Sequence, residues 1–476
     1  MQSETHGGEA AKLDILGFRR PGSAGHVRTA LLWLVPAFAG VALAADPTVT
    51  FTHDVAPLLY QHCTRCHHPN DVAPMSLITY KEARPWAAAM KEAVVTRKMP
   101  PWQADPHYGH FANDPRLSDA EIQTIVKWVQ EGAPEGNRAD LPAAPSYPDG
   151  WKIGKPDAII PIPADYTVKP HDPDQYVYLR VQTNFPEDRW VSAVELRPGN
   201  RRIVHHAHVY LYVPPKPKTA SDTAKKDDKP QPMIKRDGTN HINPLMPVVD
   251  DGCSLPHGGN AFGDPQENNI LGSYLPGKAP DVFPEGYARK IPKGAVLEFQ
   301  IHYNSQTITD TETDRTSVGV VFAKEPPKQQ LRRVDVSNHF FKIPAGDPDH
   351  LVTACYVFPE NVDLMSYTAH MHLRGKDMKF IAIHPDGHQE VLASVPNYDF
   401  NWQNEYQLAQ PVPIEAGTKI KIVAHFDNSA NNKYNPDPTK DIRWGEPSTE
   451  EMMDGWFEFI LPQKPAETAS IAHGAK

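Results

Sequence analysis

The sequence predicts a mainly β fold in which two β-sandwich domains follow a small all-α domain. Short stretches rich in β-branched and aromatic residues recur between turn signals over most of the chain. The 476 residues include 49 prolines, which disfavour long uninterrupted helices. A chain of this length exceeds one ordinary hydrophobic core, and helical patterns occur in residues 46–137.

The charge balance argues against a nucleic acid partner. Acidic residues number 58 against 48 Lys and Arg, which gives a net charge of -10. The lysines and arginines form no stripe that could neutralise a phosphate backbone. We therefore expect the partners to be small molecules and other proteins.

Residues 1–44 have the features of a signal peptide. The apolar run Thr29–Ala44 follows Arg28 and ends in Ala42-Leu43-Ala44, which resembles an A-x-A cleavage site. The run is short for a membrane span and contains Pro36, so we expect no stable membrane insertion after cleavage. Retention of the segment as an anchor is the alternative. The predicted location is periplasmic or secreted.

Cys63-Thr64-Arg65-Cys66-His67 is a C-x-x-C-H haem-attachment motif. Its two cysteines would form thioethers to a haem c, and His67 would be the proximal ligand of the iron. A redox dithiol or a zinc pair is the competing interpretation. The adjacent histidine, the export signal and the helical surroundings favour haem.

Residues 46–137 are predicted to form the haem domain. A helix precedes the motif, a second lies around Tyr80 to Lys98, and a third begins at the capping box that starts at Ser118. For the other axial position we choose Met99, which precedes a stiff Pro-Pro-Trp segment, with Met75 as the alternative. The segment resembles small bacterial c-type cytochrome domains.

The rest of the chain divides by composition into a linker, two β domains and a tail, at residues 138–155, 156–325, 326–463 and 464–476. The linker would tether the haem domain. Within the first β domain, Pro214 to Asn240 should be a solvated insertion without a core. Cys253 and Cys355 could pair in an oxidising compartment, but they fall in different predicted domains, so the sequence leaves their pairing open.

The strands of the two β domains are predicted from these stretches: Tyr176 to Val181, Trp190 to Leu196, Val204 to Val213, Val296 to Tyr303, Val318 to Phe322, Val362 to His370, Lys379 to Ile383, Thr418 to Phe426 and Trp456 to Leu461.

Histidine and methionine side chains in these domains form two groups that suit copper. Imidazole binds copper in either oxidation state, and thioether sulfur favours Cu(I). In His370-Met371-His372 the imidazoles lie two residues apart, so on a strand they share a face and can share one ion. Met452 would complete that site, although its neighbour Met453 carries the same sulfur.

The second group contains His302 and two of three clustered histidines. Strand alternation puts His302 on the polar face of its predicted strand. Because adjacent residues on a regular strand point to opposite faces, strand parity pairs His206 with His208 rather than with His205. A strand end or a β-bulge would let His205 and His206 converge, so the residues alone leave His205 and His208 in competition.

These motifs resemble the copper type II, ascorbate-dependent monooxygenases, the group of dopamine beta-hydroxylase and peptidylglycine alpha-hydroxylating monooxygenase. The resemblance spans roughly Gly154 to Pro462 and rests on four ordered segments, Val204–His206, Gln300–Asn304, His370–His372 and Glu450–Met452. It implies two jelly-roll-like sandwiches with an open solvent cleft between them and one copper on each. The implied ligands are His205, His206 and His302 for an electron-transfer copper and His370, His372 and Met452 for the catalytic, oxygen-binding copper, with His208 as a bystander.

The implied reaction inserts one oxygen atom of O2 into a C–H bond of a small organic substrate, while the other leaves as water. In the peptide-amidating branch a clamp for the peptide carboxylate occupies positions that hold Thr368, Asp454 and Trp456 here. Asp454 would repel a carboxylate, so a C-terminal glycine substrate is not expected. Trp456 suggests an apolar or aromatic substrate, unless it packs in the core.

The haem motif sets the chain apart from enzymes that take electrons from ascorbate. We expect electrons to arrive singly from a periplasmic donor through the haem and to pass to the three-His copper. One alternative is a non-catalytic periplasmic haem/copper electron-transfer or copper-handling protein. Another is an oxidase that reduces O2 without inserting oxygen into a substrate.

Overall fold

The computed structural model describes residues 48–147, 150–173, 175–212, 234–236, 252–254, 270–275, 278–305 and 308–462. One compact unit begins at Thr48. The predicted signal peptide and tail lie outside the described residues, as does most of the predicted insertion, within which Ile234–Arg236 is a strand. Within these ranges no helix is long and apolar enough to cross a membrane.

Four α-helices lie in the region predicted to be helical: α1 Ala56–His62, α2 Tyr80–Ala83, α3 Ala87–Val95 and α4 Asp119–Gln130. The predicted capping box is present at the start of α4. Ser118 Oγ accepts a hydrogen bond from the backbone N–H of Glu121 (3.3 Å), and the Glu121 carboxylate accepts one from the backbone N–H of Ser118 (2.7 Å). The helix buries Ile122, Ile125 and Trp128.

The first sandwich has a five-stranded sheet in the order β6-β3-β10-β5-β7, facing a sheet in the order β1-β12-β4-β9-β13 with β8 beside β4. Fully buried side chains such as Val177, Leu297 and Phe299 fill its core. Its strands are β1 Ala158–Pro161, β2 Tyr166–Val168, β3 Gln175–Gln182, β4 Arg189–Arg197, β5 Val204–Tyr212, β6 Ile234–Arg236, β7 Ile270–Tyr274, β8 Asp281–Val282, β9 Tyr287–Ile291, β10 Val296–Tyr303, β11 Glu312–Asp314, β12 Ser317–Phe322 and β13 Gln329–Gln330.

The second sandwich packs the sheet β14-β23-β17-β20 on the sheet β16-β21-β18-β19. Tyr367, Phe380 and Phe457 lie at the centre of its core. Its strands are β14 Arg332–Ser337, β15 Lys342–Ile343, β16 His350–Val357, β17 Val362–His370, β18 Gly375–Ile383, β19 Gln389–Val395, β20 Glu405–Ile414, β21 Lys419–Phe426, β22 Ile442–Arg443 and β23 Asp454–Ile460. The mainly β fold is thus confirmed, and each predicted stretch coincides with a strand over its described residues, except that Thr418 and Leu461 lie one residue outside β21 and β23.

Cys253 and Cys355 form a disulfide, which joins the 3-10 turn Gly252–Ser254 to β16. The bond connects a segment from the first predicted β domain to a strand of the second. Assignment of the two cysteines to different domains was therefore no obstacle to their pairing, because the turn lies against β16.

The helical region is packed against the second sandwich rather than loosely tethered by its linker. Phe111 and Leu408 form an isolated antiparallel β-bridge. Two backbone hydrogen bonds lie beside it, from Ala112 N–H to the Gln407 carbonyl and from Ala409 N–H to the His110 carbonyl, both at 2.8 Å. Trp102 and Phe111 pack against the sandwich core. This contact brings the haem motif close to one end of β20.

Candidate metal and haem sites

A β-bulge on β5 brings His205 and His206 to one place. His302 on β10 lies opposite His206, and the next residue, Tyr303, lies opposite Val204, so the pairing passes over His205. A bulge of this kind turns the extra residue out of the regular alternation. The structure therefore brings together His205, His206 and His302 and favours His205 over His208 as the third member of this three-His site.

The ligand nitrogens of the three-His site converge closely. His206 Nδ1 lies 3.1 Å from His205 Nδ1 and 3.4 Å from His302 Nδ1, and the ring of Tyr176 stacks on His302 at 4.3 Å. Burial and the neighbouring histidines lower the pKa of His206 well below its usual range, so its ring is neutral at pH 7. Three converging imidazole rings are a donor set that a copper ion fits.

The second group forms where β17 ends. Met371 is fully buried in the core of the sandwich, and the flanking His370 and His372 have ring centroids 5.3 Å apart. Met452, which precedes β23, places its Sδ 3.3 Å from His370 Nε2. Its neighbour Met453 is fully buried in the core, so Met452 is the methionine that joins this His2Met site.

Hydrogen bonds to each Nδ1 leave Nε2 of both histidines free to bind a metal. His370 Nδ1 donates to Gln403 Oε1 at 2.8 Å, and His372 Nδ1 donates to the backbone carbonyl of Glu450 at 3.2 Å. Burial lowers the pKa of His370 to about 4 and that of His372 well below its usual range. The two neutral imidazole nitrogens and the thioether sulfur fit a copper ion, and the soft sulfur favours its Cu(I) state.

Glu451 is hydrogen-bonded to the backbone at His372 and Arg374. Its carboxylate accepts the backbone N–H of His372 at 2.8 Å and that of Arg374 at 2.6 Å, and the side chain is fully buried. Burial raises the pKa of Glu451 to about 8. This carboxyl group therefore helps to determine the backbone position of one ligand of the His2Met site.

The two sites border one cavity of about 300 Å³, whose lining includes His206, His370, His372 and Met452. The ring of Phe400 lies between the sites, with its centroid 5.6 Å from that of His205 and 5.9 Å from that of His372. The sandwiches contact each other beside this cavity, for example through the hydrogen bond from Tyr178 Oη to Glu446 Oε1 at 2.7 Å.

The wall of this cavity combines an aromatic ring with charged side chains. Trp456 is 8% exposed and stacks on His370 at 5.3 Å, and the Arg333 guanidinium lies 4.7 Å from the Trp456 ring. Arg333, Asp335 and Asp454 also line the cavity. Burial raises the pKa of both carboxyl groups, and Asp335 further raises that of Asp454. The Arg333 guanidinium is therefore a positively charged group in the cavity wall. Because its pKa is raised, the Asp454 carboxyl group carries less negative charge than an ordinary aspartate would.

His208 and Thr368 occupy supporting positions. His208 lines the same cavity, where its Nδ1 lies 2.9 Å from Ser273 Oγ and its ring lies 5.6 Å from that of His206. Thr368 is buried in β17 opposite Trp456. His208 is thus outside the three-His site but within reach of a molecule in the cavity.

A second cavity, of about 270 Å³, contains the haem motif. Cys63, Cys66, His67 and Met99 all line it. His67 Nδ1 donates to the backbone carbonyl of Met75 at 3.3 Å, which leaves Nε2 as the free ring nitrogen, and burial lowers the pKa of His67. Two cysteines, a neutral imidazole and a thioether around one cavity fit a haem c.

The alternative axial ligand has a different environment. Met75 packs against the hydrophobic core of the helical region, together with residues such as Phe51 and Leu59. Met99 therefore fits the second axial position better than Met75, because Met99 lies in the cavity wall.

Sequence reasoning missed the loop that connects these sites. Phe400 and Gln403 contact histidines of the two sites, Trp402 and Gln403 line the haem cavity, and Tyr398 is hydrogen-bonded to the backbone of Met371 between His370 and His372. The only local signal was three aromatic residues at alternate positions. Arg333 lies on β14, far in sequence from the histidine and methionine motifs, and only tertiary packing brings it to the cavity wall.

Comparison with known proteins finds a family-model match over part of the chain. No curated protein matches it. Solved structures that it resembles include the major capsid protein P2 from bacteriophage PM2, at 10% identity and a TM-score of 0.26, covering 65% of this chain and 98% of that chain. The VP2 subviral particle of infectious bursal disease virus is 7% identical, with a TM-score of 0.18 and coverage of 64% and 72%.

The family model for "Copper type II ascorbate-dependent monooxygenase, C-terminal domain" matches residues 342–453. The match includes His370, His372 and Met452. The segment that forms the His2Met site is therefore similar to the C-terminal domain of the copper monooxygenases of that family.

Proposed function

We propose that this chain is a copper-dependent monooxygenase that hydroxylates a C–H bond of a small organic substrate with O2. The observation that carries the proposal is that the three-His and His2Met sites border one cavity, and that the His2Met site lies in the segment similar to the copper monooxygenases. Two bound copper ions would supply oxygen activation and two electrons, so that one oxygen atom enters the substrate and the other leaves as water.

The chain's own residues would hold and position the reacting groups. His205, His206 and His302 would bind the electron-transfer copper, and His370, His372 and Met452 would bind the catalytic copper. A substrate bound in the cavity would have a C–H bond close to Met452, which lines its wall.

The cavity wall supports a small substrate with both apolar and polar parts. Trp456 offers an aromatic face, whereas Arg333 and Asp454 offer hydrogen-bond partners. A copper-handling or purely electron-transferring protein is the alternative function. Such a protein has no need of a cavity that borders both metal sites and is lined by groups that suit an organic molecule, so the cavity favours an enzyme.

The proposal includes a covalent haem c as the point at which electrons enter. Cys63 and Cys66 would form the thioethers, and His67 and Met99 would ligate the iron. A periplasmic protein would be the electron donor, because the apolar run at the N-terminus has the features of an export signal. The protein would act in the periplasm or after secretion.

Oxygen incorporation by purified, copper-loaded protein tests the proposal. With 18O2, a reductant and a panel of small alkylaromatic compounds, we expect a hydroxylated product that carries one labelled oxygen atom. Met452→Ile should abolish this product while leaving the haem spectrum unchanged. Met453→Ile is the matched control, because Met453 lies in the core beside the same site, and it should retain labelled product.

Two results would contradict the proposal. O2 consumption without label in any product would indicate an oxidase. Unchanged chemistry in Met452→Ile would show that the His2Met site is not catalytic. Metal analysis of the same samples should give two coppers and one haem per chain.

A further inference from the structure

The haem cavity and the His2Met site share one side chain, that of Gln403. Its Oε1 accepts a hydrogen bond from His370 Nδ1 at 2.8 Å, and the residue lines the haem cavity, as Cys66 and His67 do. Gln403 is only 5% exposed. One buried amide group therefore contacts a copper ligand and forms part of the wall of the haem site.

Hydrogen bonds on both sides determine the orientation of this amide. Gln403 Nε2 donates to the backbone carbonyl of Phe400 at 3.3 Å, which leaves Oε1 to face His370. The next residue, Asn404, donates through Nδ2 to the carbonyl of Pro101 at 3.2 Å and to Gln103 Oε1 at 2.8 Å. The loop is thus attached to the segment that follows Met99.

The three-His site contacts the loop that carries Phe400 and Gln403 through aromatic rings. Its contact is between the rings of Phe400 and His205, whose centroids are 5.6 Å apart. On the His2Met side, a hydrogen bond leads directly from the haem-cavity wall to a metal ligand. The connection between haem and copper is therefore more direct at His370 than at His205.

We propose that Gln403 is a positioning residue that connects the haem cavity to His370, so that electrons from the haem enter the copper pair at the His2Met site. This inference rests on the proposed function and replaces the expectation that the three-His copper receives electrons from the haem. A haem c held by Cys63, Cys66 and His67 would give up one electron and pass from ferrous to ferric, and a copper ion held by His370, His372 and Met452 would accept that electron and pass from cupric to cuprous, with no transfer of atoms.

Variants of Gln403 test the positioning role without turnover. Gln403→Leu removes the acceptor for His370 and should weaken Cu(II) binding at the His2Met site about 10–100-fold in a competition titration. Gln403→Glu keeps an acceptor and should bind at least as tightly as the wild type. Gln407→Leu removes another amide from the haem-cavity wall and is the matched control, with unchanged affinity.

Haem absorbance tests the point of electron entry. Protein with ferrous haem is mixed with Cu(II) in the absence of O2 and substrate, and haem oxidation is followed by stopped flow. His205→Gln, which retains the His2Met site, should oxidise its haem as the wild type does. His370→Ala should oxidise it no faster than protein without added copper, and Gln403→Leu should be slower than Gln407→Leu.

The results that would overturn the role of Gln403 differ from those that would refute the proposed function. Rapid haem oxidation in His370→Ala together with slow oxidation in His205→Gln would overturn it, as would equal copper affinity in Gln403→Leu and the wild type. If Gln403→Leu does not fold, a tenfold loss of affinity in Gln403→Glu would overturn it and wild-type affinity would support it. Absence of a haem spectrum in the wild type would instead refute haem binding, and absence of labelled product would refute hydroxylation.

Discussion

The hydroxyl group of Tyr398 is hydrogen-bonded to both backbone polar groups of Met371. It accepts from the Met371 N–H at 3.1 Å and donates to the Met371 carbonyl at 2.7 Å. Met371 is the central residue of the His370-Met371-His372 segment, just beyond the end of β17. Where the ladder of strand hydrogen bonds stops, this one side chain satisfies the backbone between two proposed copper ligands.

Tyr398→Phe should therefore weaken the His2Met site and destabilise the protein. Loss of the hydroxyl group leaves two backbone groups without this partner, which costs about 1–3 kcal/mol. We expect a lower free energy of unfolding in urea and weaker Cu(II) binding at this site. Tyr434→Phe removes a hydroxyl from a side chain that is 53% exposed, so it should change neither quantity. Equal copper affinity in the two variants would contradict the structural role.

Copper stoichiometry should distinguish His205 from His208. His205→Gln removes the bulged member of the three-His site, so bound copper should fall from two ions to one per chain. His208→Gln changes a neighbour on the same strand that lies outside the group, and it should retain two. Metal analysis of the purified, dialysed proteins measures this. Loss of copper in the His208 variant alone would reverse the assignment.

Stability of the copper-free protein should fall as the pH is lowered from 7 to 5. Burial lowers the pKa of His208 to about 3. Below its ordinary pKa of about 6.5, the unfolded chain binds a proton at this residue while the folded protein does not, so acid favours unfolding. This stability is present above pH 6.5 and is lost as the pH falls towards 3, by about 1.4 kcal/mol per pH unit.

Urea unfolding at pH 7 and pH 5 measures the contribution of His208. His208→Gln should lose about 2 kcal/mol less than the wild type between these two pH values. Parallel losses in both proteins would show that His208 takes up a proton in the folded state as easily as in the unfolded state.

Removal of the disulfide should destabilise the protein without abolishing its sites. Cys253 and Cys355 are separated by 102 residues, and a cross-link over a loop of that length contributes about 2–5 kcal/mol. The double variant Cys253→Ala, Cys355→Ala should unfold at a lower urea concentration than the wild type. Dithiothreitol should lower the midpoint of the wild type and leave that of the variant unchanged. A midpoint of the variant equal to that of the oxidised wild type would contradict a stabilising bond.

Local patterns were enough to predict the elements and one ligand pair. Strand alternation indicated β17 and β10, and the capping box at Ser118 indicated the start of α4. The spacing of His370 and His372 predicted that they would share a site. These features could be predicted because each depends on residues within a few positions of one another.

The sequence alone determined the mainly β fold, the haem motif and the set of metal-capable side chains. The residues alone left His205 and His208 in competition, and the family resemblance implied His205. The tertiary structure supplied the physical reason, because the bulge at His205 depends on how β5 pairs with a strand far along the chain. Tertiary packing likewise put Gln403 between His370 and the haem cavity. Such contacts join residues far apart in sequence, and the packing of the core, which acts over the whole molecule, determines them.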